Sequence, residues 1–130
     1  MNIRAYETTD FGVLMKFWTH KGHLPEIPEG FLPPIGRVIE ESGVLLAAAF
    51  LIQSDTEMAS IAFVCGNPSA DSLTRSKALD SVLQELKLIA KQIGYRMLGA
   101  ASNVPALQAR FERLGLTQTD RDVICYGGLI

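Results

Sequence analysis

MASIAFVCGNPSADSLTRSKALDSVLQELKLIAKQIG, residues 58–94, decides how the rest of the chain is read. Its first part is a short apolar run of the kind that forms a buried strand. Gly66, Asn67, Pro68, Ser69 and Ala70 then supply a polar turn. From about Ser72 to Ile93 the apolar residues Ala78, Leu79, Val82, Leu83, Leu86, Ile89, Ala90 and Ile93 recur at three- and four-residue steps, which predicts a long helix with one stripe to lay on a sheet. Gly94 is placed to end that helix. At its first turns stand Thr74, Arg75, Ser76 and Lys77, a hydroxyl-rich and basic run where open backbone N–H groups and the helix dipole favour an anion. A phosphate is the ligand such a run would take, whereas an exposed helix face with ion pairs to Asp71 and Asp80 is the alternative.

Outward from this stretch the elements follow in turn. Residues 2–6 alternate and predict a first strand, after which Thr8, Thr9 and Asp10 are N-cap candidates for a helix with Phe11, Val13, Leu14, Phe17 and Trp18 on its face. Residues 21–34 hold Pro25, Pro28, Pro33 and Pro34 with Gly22 and Gly30, so they form an extended loop, either a binding element or a packed surface loop. Residues 36–41, 44–53 and 58–65, joined by turns at Ser42-Gly43 and at 54–57, predict an antiparallel meander, its middle strand apolar along nearly its whole length and so covered on both faces. A strand at 95–101 after the long helix makes a crossover connection, which sets it parallel to the strand around Phe63. Ser102 or Asn103 can cap a helix over 104–114 with Pro105 in its first turn and Gly115 beyond it. Residues 116–119 and 122–129 are expected as closing strands. The fold class is therefore α/β: one domain over residues 1–130, with a mixed, twisted sheet of six or seven strands and helices on both faces.

Composition excludes several classes of function. At 130 residues with 48% hydrophobic and 20% charged residues, the chain can bury a core without staples. A net charge of −2 gives no general attraction to nucleic acid or to anionic membranes. The longest apolar run, residues 44–52, falls far short of the roughly 20 residues a membrane-spanning helix needs. Cys65 and Cys125 sit in apolar runs without disulfide or zinc spacing, and the first residues do not resemble a signal peptide. The expectation is a soluble, cytoplasmic protein with no metal. His20 and His23 lack a third ligand and suit a helix C-terminus.

This order of elements resembles the GNAT family, the acyl-coenzyme A-dependent N-acyltransferases, over essentially the whole chain. The likeness is carried by Ile3-Arg4-Ala5-Tyr6 with Thr9-Asp10, by the helix ending at Gly94, and by Asn103 with Phe111-Glu112-Arg113-Leu114-Gly115-Leu116. The resemblance implies transfer of an acyl group, acetyl above all, from acetyl-CoA or another acyl-CoA to an amine in a small molecule or peptide. It implies that Phe63, Val64 and Cys65 are the strand edge that takes the pantetheine arm, that the pyrophosphate lies on Thr74, Arg75, Ser76, Lys77 and Ala78, and that Asn103 belongs to the same site. The chain departs from the family pattern twice. The phosphate window, residues 74–80, contains no glycine, a form similar to divergent viral and prophage branches, and Phe111 falls where the family has a proton-donating tyrosine. Ser102 and Tyr126 are substitute hydroxyls whose other readings are capping and packing. Glu40, Glu41 and Glu57 lie near strand ends without singling out a general base, and Cys65 is a candidate acyl carrier. The alternative function is a GNAT-like binding or structural module without catalysis. An exposed final strand could pair two copies.

Overall fold

The computed structural model describes residues 1–20, 27–121, 124 and 126–128. Its strands are β1 (Asn2–Ala5), β2 (Ile35–Glu41), β3 (Val44–Ile52), β4 (Met58–Gly66) and β5 (Met97–Gly99), and they lie side by side in chain order in one sheet. The first four run antiparallel, while β5 is parallel to β4, as a crossover requires. The helices are α1 (Phe11–His20), α2 (Ser72–Ile93) and α3 (Pro105–Arg113).

The two faces of the sheet are covered by different helices. Leu14, Phe17 and Trp18 of α1 pack with Val38, Leu45, Ala48, Phe50 and Cys65. On the opposite face Ala78, Leu79, Val82, Leu83, Leu86 and Ala90 of α2 cover Ile39, Ala47, Ala49, Leu51, Ala59 and Ile61, with Phe111 and Leu114 at the side. The apolar run in β3 is thus buried on both faces, since its residues alternate between the two clusters. The alternation breaks once, at Leu46 and Ala47, which both face α2 where the β2–β3 register shifts.

Local chemistry explains the turns. Ser42 and Gly43 both take positive φ, 52° and 79°, as a two-residue hairpin between β2 and β3 demands. Gly94 at φ 116° ends α2: its N–H reaches the Lys91 carbonyl, and the Tyr95 N–H reaches Ala90, which satisfies two carbonyls of the last turn. Gly115 does the same for α3. Ahead of α1, residues Thr8–Asp10 form a 3-10 turn in which the Asp10 carboxylate accepts the Glu7 N–H.

Three expectations need correction. The sheet has five strands among the described residues, not six or seven. Residues 116–119 are not a strand, since none of the described residues offers them a ladder; an alternating pattern makes a strand only where a neighbour accepts its backbone. Ile93 is half exposed and lies outside the buried stripe. The expected strand at 122–129 and Cys125, like His23 and Leu24, lie outside the described residues or partly so, and residues 124 and 126–128 are not in a strand. Of the Pro-rich loop, Ile27 and Leu32 pack on the α1 side of the sheet and Phe31 is exposed. No helix among the described residues is long and apolar enough to cross a membrane.

Candidate functional site at the parting of β4 and β5

The parallel pair holds together only briefly. Met58, Ala59 and Ser60 pair with Met97, Leu98 and Gly99, after which β4 continues to Gly66 with no strand among the described residues beside residues 61–64 on that edge. Immediately beyond the parting, β4 is bulged. The β3–β4 register passes from Phe50↔Ala62 to Ala48↔Cys65, so Phe63 and Val64 together oppose Ala49. Phe63 takes a left-handed backbone, φ 53°, unusual for a bulky residue. The phase change is visible in the packing: Ile61 and Val64, three residues apart, both face α2, while Phe63 and Cys65 face α1.

On the α1 side an aromatic group surrounds the bulge. The Phe63 ring meets Trp18 at 6.1 Å and Phe50 at 6.2 Å, both edge-on, and Tyr6 stands edge-on to Phe50 at 5.2 Å. The Tyr6 hydroxyl donates to Glu29 at 3.0 Å, which ties the loop before β2 to this group. Burial and that carboxylate push the Tyr6 phenol up to about 12.

At the start of α2 the structure uses the expected phosphate-binding residues differently from one another. Asp71 is the N-cap: its carboxylate accepts the Thr74 N–H at 2.9 Å and the Thr74 hydroxyl at 2.7 Å, and these bonds, the hydroxyl first, hold its pKa below the ordinary value. A carboxylate therefore already occupies the anion position of the first turn. The Arg75 N–H bonds to the Asp71 carbonyl, so from Arg75 onward the backbone donors belong to the helix itself. The guanidinium of Arg75 turns back onto the carbonyls of Ala70, at 2.9 Å, and Asn67, at 3.4 Å, and braces the loop; its stem lies where a side chain on Gly66 would stand. Ser76 receives Arg110 of α3 through both its hydroxyl and its carbonyl. Lys77 is exposed, and Ala78 is fully buried against the sheet. Asp80 joins Arg110 at 3.0 Å and Arg113 at 3.2 Å, which fastens α3 to α2.

The remaining candidates scatter. Asn103 is exposed ahead of α3, whose N-cap is Val104; Ser102 accepts the Val104 N–H instead of capping the helix. Phe111 is buried in the α2-side core and Tyr126 is almost fully exposed. Glu40 pairs with Arg4, Glu41 with the terminal amine, and Glu57 with Arg96. Cys65 is completely buried, which leaves a thioester on it no route to an acceptor. His20 closes the last turn of α1, and no cluster of metal-ligating side chains exists among the described residues. A shallow groove of about 510 Å³ is lined by Asp80, Ser81, Gln84, Glu85 and Leu88, all on α2 and none on the β4 edge.

Trp18 and Arg110 are the residues that sequence reasoning missed. Trp18 reads as one more apolar residue of α1, and Arg110 as an exposed helix cation; no spacing announces their partners 45 and 34 residues away.

A sheet whose parallel pair parts at a bulged β4, crossed by one long helix and faced on the other side by α1, is the acyl-CoA N-acyltransferase fold of the GNAT proteins. Solved structures share it. A Mycobacterium tuberculosis protein solved in complex with CoA superposes with a TM-score of 0.75 at 12% identity, over 96% of this chain and 76% of that one. A Trypanosoma brucei acetyltransferase gives 0.70 at 14% over 96% and 98%, and an N-acetyltransferase of Staphylococcus aureus gives 0.69 at 18% over 88% and 81%. At these identities the likeness is one of fold. No protein-family model matches the chain, and no curated protein matches it by sequence.

Proposed function

We propose that the chain is an acyl-coenzyme A-dependent N-acyltransferase that transfers acetyl to an amine, in a small molecule or a peptide. The observation that carries this reading is the parting of β4 from β5 at Ser60, followed at once by the bulge at Phe63. It leaves a length of strand edge able to bond an extended amide-containing arm, between an apolar core and an aromatic face. Coenzyme A would supply the acyl group as an activated thioester.

The chain's residues fit that group at the strand edge. Val64 and the N–H of Phe63 would offer backbone partners there, the Phe63 carbonyl being taken by Trp18, and the buried Cys65 continues the strand. At the phosphate end the fit would be through the exposed Lys77, with Arg75 bracing the loop beside it; the hydroxyls of Thr74 and Ser76, bonded to Asp71 and Arg110, would have to exchange those partners to take part. The chain's contribution to rate is placement and dipolar stabilisation, with proton transfer left to solvent, since Phe111 carries no hydroxyl.

A second reading, a GNAT-shaped binding or structural module without catalysis, is favoured by Asp71. Its carboxylate sits on the turn where a pyrophosphate would sit, and like charges repel. Calorimetry and thermal shift with acetyl-CoA separate the two readings. A ligand that binds only the folded chain adds about 2.7 kcal/mol at 100 times its dissociation constant. Binding that weakens in Lys77→Ala, followed by thiol release with a panel of amines, supports the enzyme. No binding at millimolar acetyl-CoA overturns it and leaves the second reading.

A further inference from the structure

Three features meet at one atom, the carbonyl oxygen of Phe63. The indole N–H of Trp18 donates to it at 3.2 Å. Phe63 is the residue with the left-handed backbone, and it is the extra residue of the β4 bulge. Trp18 is only 3% exposed, so its N–H needs a protein acceptor. The Phe63 carbonyl is the acceptor that the indole finds. A left-handed conformation costs a non-glycine residue about 1–2 kcal/mol, so it persists only where its surroundings enforce it. The ring contacts of Phe63 with Trp18 and Phe50 hold the side chain, whereas the hydrogen bond from Trp18 acts on the peptide plane itself.

We propose that Trp18 is a positioning residue: through its indole N–H it fixes the peptide plane after Phe63, and with it the shape of the β4 edge just beyond the parting from β5. The α1 helix, which packs on the face of the sheet and is no part of its ladder, thereby sets the backbone on which the acyl-carrying arm is laid. The part concerning coenzyme A rests on the function proposed above; the part concerning the backbone does not. Trp18 touches no reacting atom, and its effect passes entirely through Phe63.

The test compares the native chain with Trp18→Phe, Phe63→Gly and the double variant, by NMR and by acetyl-CoA titration. In the native chain the indole N–H is expected to exchange slowly and the Phe63 carbon shifts to be those of a left-handed residue. Trp18→Phe keeps a ring and loses the donor; the Phe63 shifts are expected to move to extended values, and acetyl-CoA affinity to fall about five- to tenfold, the worth of one net hydrogen bond. Glycine enters the left-handed region without strain. In the Phe63→Gly background Trp18→Phe is therefore expected to cost no further affinity, whereas a packing role for Trp18 would cost the same in both. Unchanged Phe63 shifts in Trp18→Phe, or equal losses in both backgrounds, overturn the proposal. If the native chain does not bind acetyl-CoA, the proposed function falls, and the Phe63 shifts still decide whether Trp18 holds the bulge. If Trp18→Phe does not fold, the native indole exchange decides: protection at the level of the core supports the bond, and rapid exchange overturns it.

Discussion

Replacing Asp10 by Asn should destabilise the chain more than any other isosteric change at its N-terminal end. Asp10 is 5% exposed and is held by both arms of the Arg4 guanidinium, at 2.9 and 2.8 Å, while it also accepts the Glu7 N–H at 2.9 Å. Removing one partner of a buried pair costs about 3–5 kcal/mol, because the other charge is left in poor surroundings. Here Arg4 keeps some solvent and keeps Glu40, with Nε to carboxylate at 3.4 Å, so the expected loss is the smaller figure of about 2–3 kcal/mol. For a chain of this length that lowers the melting temperature by roughly 10 °C. The pH dependence has a definite sign. Arg4 holds the Asp10 carboxyl below its ordinary value, so the pair's contribution is complete above the unfolded pKa near 3.8 and is lost as pH falls through the folded value. Arg4 itself is raised and does not titrate in this range. Urea unfolding from neutral to strongly acid pH should therefore show a shallower acid limb in Asp10→Asn than in the native chain. Arg4→Met with Asp10→Leu, which removes both charges, should recover much of the loss. A loss below about 0.5 kcal/mol at neutral pH, within the range of an ordinary surface change, or an unchanged acid limb, would refute the reasoning.

Two further outcomes follow from the same structure. Gly36→Ala and Gly94→Ala should both destabilise in urea unfolding, for opposite reasons. At Gly36 a Cβ would collide with the Phe50 ring, an overpacking cost of about 1–3 kcal/mol, whereas at Gly94 nothing lies within 4 Å and the φ of 116° alone costs about 1 kcal/mol. Tyr6 should titrate at about 12 by ultraviolet absorbance; with its pKa raised in the fold, native stability falls as pH climbs from about 10 through about 12, and Tyr6→Phe should flatten that limb.

The amino-acid sequence by itself determined what depends on near neighbours. The stripe Ala78, Leu79, Val82, Leu83 and Leu86 is legible because one helical turn brings those residues together, and the structure lays them on the sheet. Ser42-Gly43 and Gly94 are legible because positive φ is a property of one or two residues. The apolar run in β3 announced its burial on both faces, and the crossover rule then made β5 parallel to β4. Tertiary structure alone decided the rest. Which register β4 adopts against β3, and hence that Phe63 is the bulged residue, depends on how Ile61 and Val64 both reach α2 while Cys65 reaches α1. That Arg75 turns onto loop carbonyls, and that Asp71 fills the first turn of α2, depends on where the helix begins, which no single residue fixes. The bond from Trp18 to Phe63 spans 45 positions, and whether residues 116–119 form a strand turned on a partner that none of the described residues supplies. Periodicity and turn chemistry are local energies written in adjacent residues; registers, caps shared between elements and buried polar partners are settled only when distant segments compete for the same backbone groups.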